Sequence, residues 1–188
     1  MAGALVISGH GFTVVAWLLL SNGLVGPFAS FEARGAAMAA LSSPAKAAEV
    51  EAGCLALNAY HEARGQPIAG QLLTMLVVLN RATDSRYPST PCEVIYEGPV
   101  VEAWKLDGTL IPVRDQCQFS WWCDGKSDAV HDTAAYVHLY ELSKAVLDGR
   151  VWDFTEGATH YHSTDVVDPG WGFQPLGQLG DHIYYRRP

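Results

Sequence analysis

The chain has 188 residues, 49% hydrophobic and 17% charged, which suits one domain with a sizeable core plus an extra segment. Its 12 basic and 20 acidic residues give a formal net charge of −8. This charge disfavours nucleic-acid binding, because no basic stripe is available for phosphates. For the same reason, an acidic chain that acts on an anionic surface needs something else to bring it there.

The chain begins with an uncharged segment. Residues 2–31 contain no Asp, Glu, Lys or Arg, and their densest apolar stretch has about the 20-residue length that spans a bilayer. We predict a signal-anchor or an uncleaved export signal, although no Lys or Arg precedes it as in a standard signal peptide. The alternative is an apolar arm that packs into a partner subunit. We therefore divide the chain into three parts: the uncharged N-terminal segment (1–31), a linker (32–44) and the main domain (45–188).

A first helix is predicted by SSPAKAAEVEAGCLALNAYHEARG, whose two ends are both marked. Ser43 is suited to cap the helix and Pro44 to occupy its first position, while Gly65 and Pro67 end it. The residues that helical spacing places on one face are Val50, Cys54, Leu57 and His61.

Glu62 is the single carboxylate of NAYHEARGQP and falls in the last turn of this helix. The negative end of the helix dipole and partial burial both raise the pKa of a carboxyl group there. A general acid at neutral pH needs such a raised pKa. A solvated surface glutamate is the alternative. No second carboxylate stands three or four residues away, although glycoside hydrolysis usually needs two; one acid suffices where the substrate carries its own nucleophile.

The remaining elements follow from periodicity and turn residues. A second, core helix is predicted from Ile68 by IAGQLLTMLVVLNRA, and a third, ended by Gly149, by DAVHDTAAYVHLYELSKAVLDG. Residues 84–127 are rich in Pro, Gly, Trp and Cys and are predicted to form loops and short strands that wall a cleft. The alternation in THYHS and HIYYR predicts two short strands near the C-terminus.

The four cysteines form no C-x-x-C pair, which disfavours a zinc ribbon. Cys117 and Cys123 are close enough in sequence to close a small loop in an oxidising compartment. Free, partly buried thiols are the alternative.

Polar and aromatic residues alternate in CQFSWWCDG. If the segment is a strand, Gln118 and Ser120 face one way and Phe119 and Trp121 the other. Amides and hydroxyls beside flat rings are suited to carbohydrate. The alternative is a hairpin joined by cysteines.

His160 and His162 lie two residues apart in THYHS, and His182 follows later. Three histidines suggest zinc, but no Glu or Asp stands at the usual supporting spacing. We therefore expect structural or substrate-contacting histidines and predict no metal and no cofactor.

Five segments occur in the same order as the motifs of the SleB-type cell-wall hydrolases: ALNAYHEARGQPIAGQLLTMLVVLNRA, YPSTPCEVIY, CQFSWWCDG, GATHYHS and LGDHIYYR. The resemblance covers residues 50–187. It implies an α+β, mostly helical domain with a small β element and a lysozyme-like or lytic-transglycosylase-like fold. The catalytic acid of the family's EARG motif corresponds to Glu62. Many members have a second Glu where this chain has Gln66.

The resemblance implies a peptidoglycan lytic transglycosylase that cuts the glycan strand between N-acetylmuramic acid and N-acetylglucosamine. The residues expected to contact sugar are Gln118, Ser120, Trp121, His160, Tyr161 and His162. The expected location is the cell envelope, after export or at a membrane anchor. Two alternatives remain open: an N-acetylmuramoyl-L-alanine amidase, and a non-catalytic wall-binding subunit of a phage virion. A phage endolysin or a virion-associated lysin would also fit the resemblance.

Overall fold

The computed structural model describes residues 44–102 and 110–188, and Ala48–Pro188 forms one compact unit. The helices are α1 (Pro44–Ala63), α2 (Ile68–Thr83), α3 (Pro91–Ile95) and α4 (Thr133–Leu147). The strands are β1 (Val100–Glu102), β2 (Leu110–Pro112), β3 (His160–Ser163), β4 (Gln174–Leu179) and β5 (His182–Arg186). The predictions for residues 1–31, for the linker and for a cap at Ser43 fall outside the described residues.

The first helix was predicted with nearly correct bounds, but its buried face consists largely of alanine. The alanines of this face are Ala52, Ala56, Ala59 and Ala63, each at most 2% exposed. Leu55 is fully buried among them. Of the residues that helical spacing places on one face, Cys54 and Leu57 pack at the edge of the core, whereas Val50 is 53% exposed. Small side chains rather than the largest apolar ones therefore mark the inner side of α1.

The prediction that α2 is the core helix is confirmed. Met75, Leu76 and Val78 belong to the main core with α1, α3 and α4. Leu73 and Val77 instead pack with residues of the three-stranded sheet, in a second cluster. The helix is therefore apolar over a wide arc because it lies between a helical layer and a sheet.

The segment between α2 and α4 consists mainly of loops, as expected, with three short elements. Thr90 caps α3, accepting a hydrogen bond from the backbone N–H of Glu93 at 3.3 Å. Strands β1 and β2 pair in antiparallel fashion. Of the two alternatives for the segment around Gln118, the strand is not observed, because Ser120–Trp122 forms a single 3₁₀ turn. A disulfide between Cys117 and Cys123 closes the chain around this turn, which is incompatible with an extended strand.

The third predicted helix begins later than its sequence pattern indicated. The side chain of Asp132 caps α4 and accepts a hydrogen bond from the N–H of Ala135 at 3.0 Å. The helix ends before Gly149, which has a positive φ of 68°, a conformation that glycine adopts without strain. Leu139 and Val146 of this helix are buried in the core.

The C-terminal strands form an antiparallel sheet in the order β3-β5-β4. Both predicted strands are confirmed as β3 and β5, and Tyr161 pairs with Tyr184 between them. Strand β4 was not predicted, because its Pro175 and Gly177 argue against a strand and sit at an irregularity of the pairing. The observed architecture is α+β and mostly helical, with small β elements.

Two disulfides are present in the described chain. Cys117 pairs with Cys123, one of the two alternatives that the sequence left open. Cys54 of α1 pairs with Cys92 of α3, a link that sequence reasoning did not propose.

Candidate active site

Glu62 lies in the last turn of α1, immediately before the chain reverses into α2. The N–H of Gln66 donates to the carbonyl of Ala63 at 2.9 Å, which closes the turn after the helix. Pro67 then precedes α2. The end of α1 therefore holds the carboxyl group of Glu62 close to the C-terminal sheet.

The surroundings of Glu62 favour its protonated form. Burial raises the pKa of this carboxyl group, and two weaker influences, the hydroxyl of Tyr161 and the charge of Arg81, act in the opposite direction. The hydroxyl of Tyr161 donates a hydrogen bond to Oε2 of Glu62 at 3.1 Å. One carboxyl oxygen is therefore engaged by the protein. The predicted raised pKa is confirmed in direction, with burial as its main cause.

Residues at the end of α2 hold the segment before Tyr161 in place, and this positions Tyr161 next to Glu62. The side-chain amide of Asn80 donates to the carbonyl of Ala158 at 2.9 Å and to the hydroxyl of Thr155 at 3.1 Å. Nε of Arg81 donates to the carbonyl of Thr159 at 2.6 Å. These two adjacent residues fix the chain that leads into β3, and so they position the tyrosine that contacts the acid.

A cleft of about 480 Å³ opens beside Glu62. Its lining residues are His61, Glu62, Gln66, Ser120, Trp121, Asp124, Tyr161, His162, Ser163, Asp165, Asp181 and His182. The lining comes from the end of α1, the 3₁₀ turn, β3 and the start of β5. It is mainly polar with a few aromatic rings, a composition suited to a sugar polymer.

Trp121 forms an aromatic wall of the cleft. Its ring stacks on His61, with the ring centroids 4.5 Å apart and the planes 10° from parallel. Its Nε1 donates to Oδ1 of the buried Asn58 at 2.9 Å. The hydrogen bond to Asn58 fixes the indole, and the indole in turn packs on His61, the residue next to Glu62.

Three aspartates line the same cleft, although no second carboxylate stands three or four residues from Glu62 in the sequence. Asp181 is bonded on both sides by Gln66: the amide Nε2 donates to its Oδ2 at 2.9 Å, and Oε1 accepts from its N–H at 3.0 Å. Asp124 pairs with Lys126 at 2.9 Å, and this contact lowers its pKa. The carboxylate of Asp165 accepts no hydrogen bond from the described residues.

The proposed sugar-contacting residues divide into two groups. Ser120, Trp121, Tyr161 and His162 line the cleft with Glu62. Gln118 and His160 do not. Gln118 accepts a hydrogen bond from Nη1 of Arg81 at 3.3 Å. His160 packs beside Phe173 and Trp171, with ring centroids at 4.7 and 5.1 Å.

Sequence reasoning missed several residues of the site. Gln66 and Asp181 lie in the cleft, and Asn58 supports it from the core. The turn of LGDHIYYR was the one available signal for Asp181, since Asp after Gly typically marks a turn. Within residues 44–102 and 110–188, no three His, Cys, Asp or Glu side chains are grouped so that they could hold a metal ion.

Fold and cleft together define a mostly helical α+β domain with a half-buried carboxylic acid in an open, polar and aromatic cleft. The chain belongs to the cell wall hydrolase family, whose model matches residues 65–185. The family resemblance predicted from the sequence is thereby confirmed. The match begins just after the helix end that carries Glu62.

Curated relatives and a solved structure agree with this assignment. The chain is similar to spore cortex-lytic enzymes from Oceanobacillus iheyensis, with 29% identity over 128 residues, and from Halalkalibacterium halodurans, with 28% over 148 residues. These matches cover 66% and 77% of this chain, but the chain spans only 37% of each relative. It is also similar to the catalytic domain of the germination-specific lytic transglycosylase SleB from Bacillus anthracis. That match has 27% identity and a TM-score of 0.51, and it covers 72% of this chain and 93% of that one.

No described helix combines the length and the apolar character that crossing a bilayer requires.

Proposed function

We propose that this chain cleaves the glycan strand of peptidoglycan between N-acetylmuramic acid and N-acetylglucosamine, as a lytic transglycosylase with Glu62 as its acid–base group. The observation that carries the proposal is the carboxyl group of Glu62, which lines the cleft, has a raised pKa, and has one oxygen held by Tyr161. The names of the relatives, spore cortex-lytic enzyme and lytic transglycosylase, support the same chemistry.

The reaction needs one carboxyl group acting twice. Glu62 first donates its proton to the glycosidic oxygen as the bond from that oxygen to C1 of the muramic residue breaks. It then accepts the proton of the 6-hydroxyl group as the oxygen of that group bonds to C1. The proton is returned, no water is consumed, and the product ends in a 1,6-anhydro ring. Because the nucleophile is tethered to the reacting sugar, positioning supplies much of the rate acceleration.

The cleft residues have distinct roles in this proposal. Ser120 offers a hydroxyl group to a sugar, and Trp121 and His162 line the cleft beside it. Tyr161 positions the acid through its hydroxyl rather than binding substrate. Gln118 and His160, which we also expected at the sugar, would act through the residues that they contact.

Hydrolysis is a second candidate, because three aspartates share the cleft with Glu62. A hydrolase needs a carboxylate that activates water. Asp165 fits this role better than Asp124 or Asp181, whose carboxylates are engaged by Lys126 and Gln66. Hydrolysis would leave a reducing sugar, and Asp165→Asn would then lose activity.

We further propose that the protein works in the cell envelope, that it needs no metal, and that residues 2–31 contact a membrane or a partner subunit. Activity should survive exhaustive chelation; loss on chelation with rescue by zinc would favour the amidase. A virion subunit that only binds wall would give no turnover of purified sacculi.

The deciding experiment is a digest of purified sacculi analysed by mass spectrometry before and after borohydride reduction. Anhydro products support the proposal, water-addition products that borohydride reduces support hydrolysis, and free stem peptides support an amidase. Glu62→Gln should lower the rate by roughly 10²–10⁴-fold, the contribution of a general acid. Glu141→Gln removes an exposed carboxylate of α4 that pairs with Lys144, and it should leave the rate unchanged. If Glu62→Gln clears sacculi as fast as Glu141→Gln, the assignment of the acid is wrong.

A further inference from the structure

A second groove, of about 430 Å³, lies between the loop after β3 and the C-terminal sheet. Its walls include Asp168, Trp171, Phe173, Pro175 and Tyr185. None of these residues lines the cleft beside Glu62. The groove combines three aromatic rings with one carboxylate, and the proposed reaction uses none of them.

The loop of the groove is built to present Trp171. Gly170 and Gly172 flank it, and both have a φ of +66°, a conformation that other residues adopt only with strain. The N–H of Gly170 donates to Oδ1 of Asp168 at 2.9 Å, which closes the turn. The indole remains 37% exposed.

The aromatic rings support one another in a fixed arrangement. Trp171 and Phe173 are stacked, with ring centroids 5.8 Å apart and planes 28° from parallel. Tyr185 meets Trp171 edge-on at 5.7 Å. His160 packs against both Trp171 and Phe173, and burial lowers its pKa to about 4, with nearby arginines adding to the effect. The neutral imidazole thus supports the rings as an uncharged surface.

The groove and the catalytic cleft meet at the edge strand β3. His160 pairs with Tyr185, so these two side chains share one face of the sheet. Tyr161, which contacts Glu62, lies on the opposite face. His162 connects the two sides: it lines the cleft, and its ring stacks on Tyr185 at 5.5 Å and approaches Trp171 at 6.0 Å.

We propose that this aromatic groove binds an N-acetylated pyranose ring of the wall glycan, at a position other than the cleaved bond. The inference rests on the proposed function for the choice of polymer. Flat rings stack on the apolar C–H face of a pyranose, and the carboxylate of Asp168 accepts hydrogen bonds from its hydroxyls. Continuity with the catalytic cleft through His162 favours the same polymer as occupant. Binding there holds the strand at a second point while Glu62 acts.

Calorimetric titration with peptide-free N-acetylglucosamine oligomers tests the groove without any turnover. Trp171→Ala should weaken binding of the longer oligomers about tenfold, the scale expected for one stacked ring. Trp171→Phe should restore part of the affinity. The matched control is Trp152→Ala, which removes a tryptophan that is 75% exposed outside both cavities. Circular dichroism verifies that each variant is folded.

Equal affinity of the wild type, Trp171→Ala and Trp152→Ala would overturn the proposal. The proposal would also be overturned if a free stem peptide competed with the oligomers for the wild type but not for Trp171→Ala, because the groove would then bind peptide. If sacculi are not cleaved but Trp171→Ala still loses oligomer binding, the proposed activity fails while the groove assignment stands. If cleavage gives anhydro products and Trp171→Ala changes neither binding nor KM, the groove assignment alone fails.

Discussion

The hydrogen bond from Tyr161 to Glu62 gives the sharpest test of the site. Tyr161→Phe removes only the hydroxyl that donates to Oε2 of Glu62 at 3.1 Å and keeps the buried ring. This bond favours the ionised carboxylate and opposes the effect of burial on the pKa of Glu62. When the hydroxyl is removed, it no longer counteracts the effect of burial, so the pKa of Glu62 should rise further.

The size of the effect follows from the hydrogen bond. Bonds to charged groups are worth about 1.5–3 kcal/mol, and about 1.4 kcal/mol corresponds to one pH unit. Because part of the bond persists with the neutral acid, we expect the alkaline limb of activity to move up by about one pH unit. The upward direction follows because the reaction starts from protonated Glu62, so activity is lost as pH rises through its pKa.

The assay is the pH dependence of kcat/KM for release of soluble glycan from sacculi, which reports ionisations of the free enzyme. Tyr184→Phe is the matched control, since Tyr184 pairs with Tyr161 on the adjacent strand but makes no hydrogen bond to Glu62. An alkaline limb that stays in place or moves down in Tyr161→Phe would refute the reasoning. An equal shift in both variants would show a general effect on the sheet.

Three further predictions concern stability and the N-terminal segment. Replacing Cys54 and Cys92 together by serine should lower the free energy of unfolding by about 4 kcal/mol, and replacing Cys117 and Cys123 should lower it by about 2 kcal/mol. The first loss is larger because its disulfide closes a longer loop, with a sequence separation of 38 against 6. Urea unfolding of both double variants measures the two losses, and a larger loss for the short loop would contradict this order. As pH rises from 4 to 8, the Tm of Glu62→Gln should rise relative to the Tm of the wild type. The wild-type protein loses stability over this range because the pKa of Glu62 is raised in the folded state, so ionisation of this carboxyl group disfavours folding. A difference in Tm that stays constant across this range would argue against the buried acid. Deleting residues 2–31 should leave a soluble chain that is active on isolated wall, and an insoluble product would assign that segment to the core.

Local sequence patterns predicted most of the regular structure. The end of α1 at Glu62, the apolar arc of α2 and the strands β3 and β5 all follow from turn residues and periodicity. The inner face of α1 is not evident from the sequence, because a search for large apolar residues passes over alanine. Strand β4 was missed since Pro175 and Gly177 are poor strand formers, and the pairing with β5 outweighs that preference.

The surroundings of the acid could not be predicted in the same way, because they depend on contacts between distant parts of the chain. Tyr161 is 99 residues from Glu62, and Asp181 is 115 residues from Gln66. No spacing rule links residues so far apart in sequence. The family motifs indicated that Glu62 and Tyr161 matter, but only the fold assigns the tyrosine to the acid. The catalytic role of Glu62 and the expected sugar contacts stay predictions.

The position of Glu62 depends on how firmly α1 is held, and three polar contacts hold this helix. The hydroxyl of Ser143 in α4 donates to the carbonyl of Ala52 at 2.9 Å. The hydroxyl of Tyr60 accepts the N–H of Asp132 at 3.0 Å, at the start of α4. Asn58 accepts the indole N–H of Trp121.

These contacts explain why a lone acid can stand at the end of an alanine-rich helix. Short side chains at Ala52, Ala56 and Ala59 let neighbouring elements pack close to the backbone of α1, close enough for Ser143 to reach a helix carbonyl. Larger side chains there would hold α4 away from α1 and break that bond. A carboxyl group on a helix fixed in this way is partly removed from water, whereas a loosely packed helix end would hydrate it and return its pKa toward the ordinary range. The alanine face and the raised pKa of Glu62 are therefore consequences of the same close packing.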